Sequence, residues 1–244
     1  VGMDMTIGAD TALHRILDAI DQLTSTAASH QRTFVVEVMG RHCGYLPLMA
    51  AVADGADYVF TPEDPAGPGW QDDLAEHLRL GREAGRRESI VLVAEGAHDR
   101  DGNELSTQLI ADTIQERTGE DARVTILGHV QRGGTPSAYD RWMSTLLGYA
   151  AVQEILASTA EDEPVILGVR RNRITRVPLM KAVHDTRAVK DLIAAGDYAA
   201  AQASRGSSFS SMVGINQILS TPPQLTPEPT GESQRVAILH AGGL

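Results

Sequence analysis

The stretch Thr33 to Val38, TFVVEV, is a short run of β-branched and apolar residues that leads directly into Met39-Gly40-Arg41. A helical pattern of apolar side chains follows at 45–52. This order predicts a strand, a turn and a helix. The same alternation recurs along the chain, with strands predicted at 58–61, 90–94 and 124–127 and helices at 72–84, 106–117 and 137–156.

The predicted strands are almost continuously apolar and are separated by helices. Such strands are typical of parallel pairing with both faces of the sheet covered. The sequence therefore predicts an α/β fold with a Rossmann-like parallel sheet and flanking helices. At the start of the last of these helices, Ser137 is the expected N-cap, and Asp140 lies in the first turn, where the helix dipole favours a negative charge.

The remainder of the chain is less regular. Residues 164–179 alternate like a β-hairpin with Asn172 near its tip, and helices are predicted at 180–195 and 198–204, after which regular structure is expected to thin out. Residues 221–233 contain four prolines and one glycine, a composition typical of a linker. The final RVAILHAGG resembles a new strand entering a Gly-Gly turn.

Composition excludes several classes of protein. The 244 residues are 42% hydrophobic and 22% charged, which is the balance of a globular protein, and the formal net charge is −11. That charge argues against a general nucleic-acid or acidic-membrane surface. The chain has one cysteine, Cys43, and no run approaching the roughly 20 apolar residues of a membrane helix. We therefore expect a cytoplasmic protein. The chain opens on Val1 instead of methionine, which suggests that an earlier segment exists.

Ligands of parallel α/β sheets collect beyond the carboxyl ends of the strands. This rule selects the start of the chain, Met39-Gly40-Arg41, Glu95-Gly96 and the segment 128–134, GHVQRGG. Two of these places carry arginine beside glycine. Glycine allows the backbone to approach a ligand closely, and a guanidinium forms paired hydrogen bonds with phosphate oxygens. The pattern favours a phosphorylated ligand.

These motifs resemble those of the 6-phosphofructokinase family. The resemblance covers residues 1 to about 211 and is carried by DMTIGADTA (4–12), RTFVVEVMGRHCGYL (32–46), VAEGA (93–97), RVTILGHVQRGGTPSAYDR (123–141) and residues 206–209. It is closest to the tandem-duplicated form of animals and fungi. It implies three parts: residues 1–211 as the latter part of a catalytic half that binds sugar phosphate, 212–233 as a linker, and 234–244 as the first strand of a second half.

The resemblance also implies roles for individual residues. Arg41 would neutralise charge on the transferring phosphoryl group and is the one catalytic residue expected here. Glu95 would accept hydrogen bonds from sugar hydroxyls, and Arg32 and Arg123 would reach the sugar phosphate of a neighbouring subunit or half. The full set expected to bind fructose 6-phosphate is Arg32, Met39, Gly40, Arg41, Glu95, Arg123, His129, Val130, Gln131 and Arg132.

The implied reaction moves the γ-phosphoryl group of ATP to the 1-hydroxyl of fructose 6-phosphate. Phosphoryl transfer also needs a nucleotide, a divalent metal and a proton acceptor. In the family the groups that bind ATP and Mg²⁺, and the catalytic aspartate, precede the position of Val1, so the isolated chain is expected to have negligible activity. A homo-oligomer with sites at its interfaces is also expected. Two alternatives stay open: a pyrophosphate-dependent phosphofructokinase and a non-catalytic sensor of sugar phosphates.

Overall fold

The computed structural model describes residues 3–30, 32–171 and 173–222. A four-stranded parallel sheet in the order β2-β3-β1-β4 organises this part of the chain. The strands are β1 (Thr33–Val38), β2 (Tyr58–Phe60), β3 (Ser89–Ala94) and β4 (Ala122–Ile126). The predicted α/β fold with a parallel sheet is confirmed.

The apolar strands form because both faces of the sheet are covered. Every residue of β3 is buried, and so are five of the six residues of β1. Val35 and Val91 pack into one core with the helices at 70–83 and 107–118, whereas Val36 and Leu92 pack into a second core with the helices at 9–30 and 45–54. Successive side chains point to opposite faces of a strand, so each strand contributes to both cores. The two cores hold the sheet from both sides. Because its strands are parallel, the loops that follow them meet at one edge of the sheet.

Eight α-helices are described. They are α1 (Ala9–His30), α2 (Tyr45–Asp54), α3 (Trp70–Glu83), α4 (Thr107–Thr118), α5 (Ala138–Ala157), α6 (Leu179–Ala194), α7 (Tyr198–Arg205) and α8 (Ser207–Ser220). A 3-10 helix at Gly128–Arg132 follows β4. Among the helices of the described residues, none has the length and hydropathy of a membrane span.

The start of α5 differs from its prediction in one respect. Ser137 is the N-cap, as predicted, and its hydroxyl accepts a hydrogen bond from the N–H of Asp140. The Asp140 carboxylate, however, turns to α1, where it accepts hydrogen bonds from the N–H groups of Gly8 at 2.7 Å and Thr11 at 2.8 Å. These N–H groups lie at the start of α1 and have no partner within that helix. Asp140 therefore caps a neighbouring helix and joins α1 to α5.

The C-terminal elements confirm part of the prediction. The hairpin consists of β5 (Val165–Arg170) and β6 (Arg173–Pro178), which pair antiparallel, and helices α6 and α7 follow it as predicted. Asn172, the predicted tip, lies outside the described residues.

Two helices, α1 and α8, are absent from the sequence prediction. Regular structure does not thin out after residue 204, because α8 continues to Ser220. Burial of Phe209 and packing of α8 on α2 and α7 stabilise this serine-rich segment as a helix. The first nine residues predicted as linker are therefore helical. Residues 223–233 and the predicted strand at 234–244 lie outside the described residues, so the division into three parts stays a prediction.

Candidate site at the carboxyl edge of the sheet

The loop after β1 and the end of β3 form the centre of the candidate site. The Glu95 carboxylate accepts hydrogen bonds from the N–H of Gly40 at 3.2 Å and the N–H of Arg41 at 3.1 Å. The N–H of Glu95 in turn donates to the carbonyl of Val38 at 2.8 Å. Glu95 thus fixes the loop that carries Arg41, and the exposed guanidinium of Arg41 has no hydrogen bond or ion pair among the described residues.

Glu95 is held in its charged form. The N–H of Arg41, followed by that of Gly40, lowers the pKa of the Glu95 carboxyl below its usual range. The guanidinium groups of Arg41 and Arg132 add to this effect, which places both cations within electrostatic reach of Glu95. The site therefore combines one ionised acceptor with two arginines. Such a set suits a ligand that has both hydroxyl and phosphate groups.

Gly96 brings the two loops into direct contact. Its φ is +83°, in the left-handed region that favours glycine. A Cβ atom at this position would lie 2.5 Å from the carbonyl oxygen of Arg41. Arg41 itself has a φ of +53°, which is strained for a residue with a side chain. The backbone that presents Arg41 is thus both strained and closely packed.

Gln131 connects the 3-10 helix after β4 to the same loop. Its side chain is buried, with Oε1 accepting from the N–H of Met39 at 3.2 Å and Nε2 donating to the carbonyl of Gly128 at 2.9 Å. Both ends of the amide are used by the protein. The side chain of Gln131 thus links two loops of the protein, and a direct contact of Gln131 with substrate stays a prediction.

The neighbours of Gln131 point in different directions. Arg132 and His129 are exposed on the 3-10 helix and have no hydrogen bond or ion pair within the described part of the chain. Val130 is also exposed, but it lines a separate open cleft with Arg15 and Thr125. Arg132 thus follows β4 at the edge where Arg41 and Glu95 follow β1 and β3, whereas Val130 lines the other cleft.

Arg32 and Arg123 lie at the other end of the strands, where β1 and β4 begin. Arg32 directly precedes β1, and Arg123 is paired in register with Phe34 near the start of that strand. Both guanidinium groups contact the Asp121 carboxylate at 2.9 Å. The length of β1 separates them from Arg41 by about 20 Å at roughly 3.3 Å per residue. They therefore do not belong to the cluster around Arg41.

Two residues at the site were missed by the sequence prediction. Glu63, in the loop after β2, is fully buried and accepts a hydrogen bond from the N–H of Gly44 at 2.9 Å. Arg205, at the end of α7, donates to Glu63 at 2.9 Å and to the carbonyl of His42 at 2.7 Å. The rule that selects loops at the carboxyl ends of strands also applies to the loop after β2, and would have found Glu63.

The chain is similar to known proteins along most of its length. A family model for phosphofructokinase matches residues 1–155. The chain is 46% identical over 241 residues to the liver-type ATP-dependent 6-phosphofructokinase of Bos taurus, covering 99% of this chain and 30% of the relative. It is 45% identical over 244 residues to the ATP-dependent 6-phosphofructokinase of Aspergillus fumigatus, again covering 99% of this chain and 30% of the relative.

A solved phosphofructokinase structure from Saccharomyces cerevisiae superposes with a TM-score of 0.85 at 45% identity. It covers 87% of this chain and 29% of the yeast chain. The chain thus spans about 30% of the length of the relatives that it matches.

Proposed function

Because the chain belongs to the phosphofructokinase family, we propose that it supplies the fructose 6-phosphate site of an ATP-dependent 6-phosphofructokinase. That enzyme transfers the γ-phosphoryl group of ATP to the 1-hydroxyl of the sugar, giving fructose 1,6-bisphosphate. The observation that carries the proposal is the convergence of Arg41, Glu95 and Arg132 at the carboxyl ends of three adjacent strands, β1, β3 and β4.

Each member of this group suits one part of the ligand. A guanidinium forms charge-assisted hydrogen bonds with phosphate oxygens, so Arg132 and His129 are assigned to the 6-phosphate. Arg41 is assigned to the charge on the transferring phosphoryl group. Electrostatic stabilisation of that kind supplies much of the catalysis in phosphoryl transfer. Glu95 is ionised and so can accept hydrogen bonds from sugar hydroxyls.

The backbone of the loop has a supporting role. The N–H groups of Met39 and Gly40 donate to Gln131 and Glu95, so they are engaged within the protein. Met39 and Gly40 therefore contribute the shape of the pocket, and Gln131 acts as a positioning residue. In the proposed site, the side chains of Arg41, His129 and Arg132 are the groups that contact phosphate directly.

Nucleotide and metal are assigned to groups outside this site. Among the described residues, no group of three or more acidic, histidine or cysteine side chains could hold a metal ion, so no step is assigned to Mg²⁺ here. The use of ATP follows the printed names of the two relatives at 45% and 46% identity. The single cysteine and the membership of a glycolytic family support a cytoplasmic location.

Arg32 and Arg123 support the proposal of a homo-oligomer. Their guanidinium groups share the exposed Asp121 at the edge of the sheet opposite Arg41. From that edge they cannot reach a sugar bound beside Arg41 in the same chain. We assign them to the sugar phosphate held by another copy or another half.

Isothermal titration of the 244-residue chain with fructose 6-phosphate, and with unphosphorylated fructose, tests the proposed site. We expect the chain to prefer the phosphate ester and Arg132→Ala to weaken its binding at least about tenfold, as loss of a charge-assisted contact should. Arg117→Ala is the matched control, because Arg117 is an exposed arginine paired with Asp72 on another surface. Equal binding of the two sugars, or equal losses in the two variants, would contradict the proposal.

A further inference from the structure

A buried ion pair holds the far end of the loop that carries Arg41. Glu63 is fully buried, and its two carboxylate oxygens have different partners: the N–H of Gly44 at 2.9 Å and Nε of Arg205 at 2.9 Å. Nη2 of Arg205 also donates to the carbonyl of His42 at 2.7 Å. The pair therefore engages one donor and one acceptor of the same tight turn.

The burial of Glu63 makes this pair sensitive to the loss of either member. Burial raises the pKa of the Glu63 carboxyl, and the Arg205 guanidinium and the Gly44 N–H oppose that rise. A buried charge without its partner is strongly destabilising, so removal of either group should disturb the turn that both of them contact. The fit is close, because a Cβ atom on Gly44 would lie 2.8 Å from Glu63 and 2.5 Å from Cβ of Thr61.

The turn lies immediately after the strained residue. Arg41 has a φ of +53°, and a side chain in this left-handed region costs about 1–2 kcal/mol. Such backbone persists only where the surroundings over-determine it. On one side Glu95 accepts from the N–H of Arg41, and on the other side Arg205 donates to the carbonyl of the next residue, His42. The strained residue is thus held between two independent contacts.

We propose that Glu63 and Arg205 form a positioning unit for sugar-phosphate binding: by fixing the turn at residues 42–44, they hold Arg41 in the orientation that contacts the ligand. The inference rests on the proposed function of the Arg41 site and adds two residues to it. Neither residue touches the ligand. The planar fork of Arg205 is essential to the role, because one group must serve both a carboxylate and a carbonyl.

The chain provides a matched control for the loss of a buried carboxylate. Asp57 is also buried, also pairs with an arginine, Arg86, and also accepts a hydrogen bond from a backbone N–H, that of Ile90 at 2.8 Å. It precedes β2 and has no contact with the turn at residues 42–44. Glu63→Gln and Asp57→Asn should therefore both lower the urea midpoint, but only Glu63→Gln should move Arg41.

The test combines fructose 6-phosphate titration of the full chain with hydrogen exchange measured by mass spectrometry. We expect Glu63→Gln to weaken binding at least about tenfold and Asp57→Asn less than about twofold. Exchange in the peptide that covers residues 40–46 should accelerate in Glu63→Gln and stay unchanged in Asp57→Asn. Arg205→Lys keeps the charge but lacks the fork, so it should bind as weakly as Arg205→Met.

Full affinity in Arg205→Lys would overturn the positioning role, since charge alone would then suffice. Equal losses in Glu63→Gln and Asp57→Asn would also overturn it, since they would reflect general destabilisation. If the unmodified chain does not bind fructose 6-phosphate, the proposed function fails by itself. Hydrogen exchange still tests the role of the pair in that case. If exchange at residues 40–46 is no faster in Glu63→Gln than in the unmodified chain, then Glu63 and Arg205 do not hold the turn.

Discussion

Substitution of Gly96 by alanine provides a sharp test of the contact between the two central loops. The new Cβ atom would lie 2.5 Å from the carbonyl oxygen of Arg41, whereas ordinary contacts begin near 3.4 Å. The Arg41 carbonyl must therefore move by about 0.9 Å, or the loop after β3 must move by the same distance. A misplacement of about 1 Å in a binding group can cost up to about 100-fold, so we expect fructose 6-phosphate to bind about 10- to 100-fold more weakly.

The variant also introduces backbone strain, which a second glycine measures separately. Gly102 has a φ of +85°, close to the +83° of Gly96, but a Cβ atom there would meet nothing within 4 Å. Gly102→Ala should therefore show only the cost of a left-handed alanine, about 1–2 kcal/mol in urea unfolding. Its affinity for fructose 6-phosphate should equal that of the unmodified chain. The difference between the two variants isolates the contact with Arg41.

Both variants should be measured by calorimetric titration with fructose 6-phosphate and by urea unfolding at one pH. If Gly96→Ala binds as tightly as Gly102→Ala, then the approach of Gly96 to Arg41 does not set the geometry of the site, and the reasoning is refuted. The reasoning is also refuted if Gly96→Ala is less stable than Gly102→Ala but binds fructose 6-phosphate with the affinity of the unmodified chain.

Three further predictions concern other parts of the chain. Gln131→Leu leaves the N–H of Met39 without its partner, so it should cost about 1–3 kcal/mol in urea unfolding and weaken fructose 6-phosphate binding about tenfold in calorimetry. Arg123→Ala removes an exposed ion pair with Asp121, so it should change the unfolding free energy by less than about 1 kcal/mol and weaken calorimetric binding of fructose 6-phosphate only where the chain forms the proposed oligomer. Burial lowers the pKa of His77, so the folded state disfavours its charged form. Neutral His77 therefore contributes its full stabilisation above about pH 6.5, the usual pKa of histidine, and this stabilisation is lost as the pH falls. Between pH 7 and 5, the melting temperature of His77→Phe should thus fall less than that of the unmodified chain.

The sheet and the central site could be predicted because their signals are local. The run TFVVEV contains enough β-branched residues to indicate a buried strand, and the structure gives β1 the same bounds, Thr33–Val38. Parallel pairing then places the ends of β1, β3 and β4 at one edge. This step alone brings Arg41, Glu95 and Arg132 together, without any information about side-chain contacts.

The features that were missed depend on packing between distant segments. Helix α8 begins with SSFSS, whose serines are poor helix formers, and it is stabilised by burial of Phe209 and by packing on α2. Glu63 and Arg205 are separated by 142 residues, and neither has a neighbour in sequence that indicates a pair. The turn of Asp140 towards α1 is of the same kind, because its partners Gly8 and Thr11 lie about 130 residues earlier.

The loop after β1 is held by side chains that follow each of the other three strands of the sheet. Glu63 after β2, Glu95 after β3 and Gln131 after β4 each accept a hydrogen bond from an N–H group of this loop. These contacts use the backbone donors that would otherwise make the loop an anion site of its own. In the proposed site, recognition of phosphate is therefore left to the side chains of Arg41 and Arg132, whose guanidinium groups stay unpaired among the described residues. A site of this kind should bind through arginine charge while its selectivity is set by buried residues that never touch the ligand.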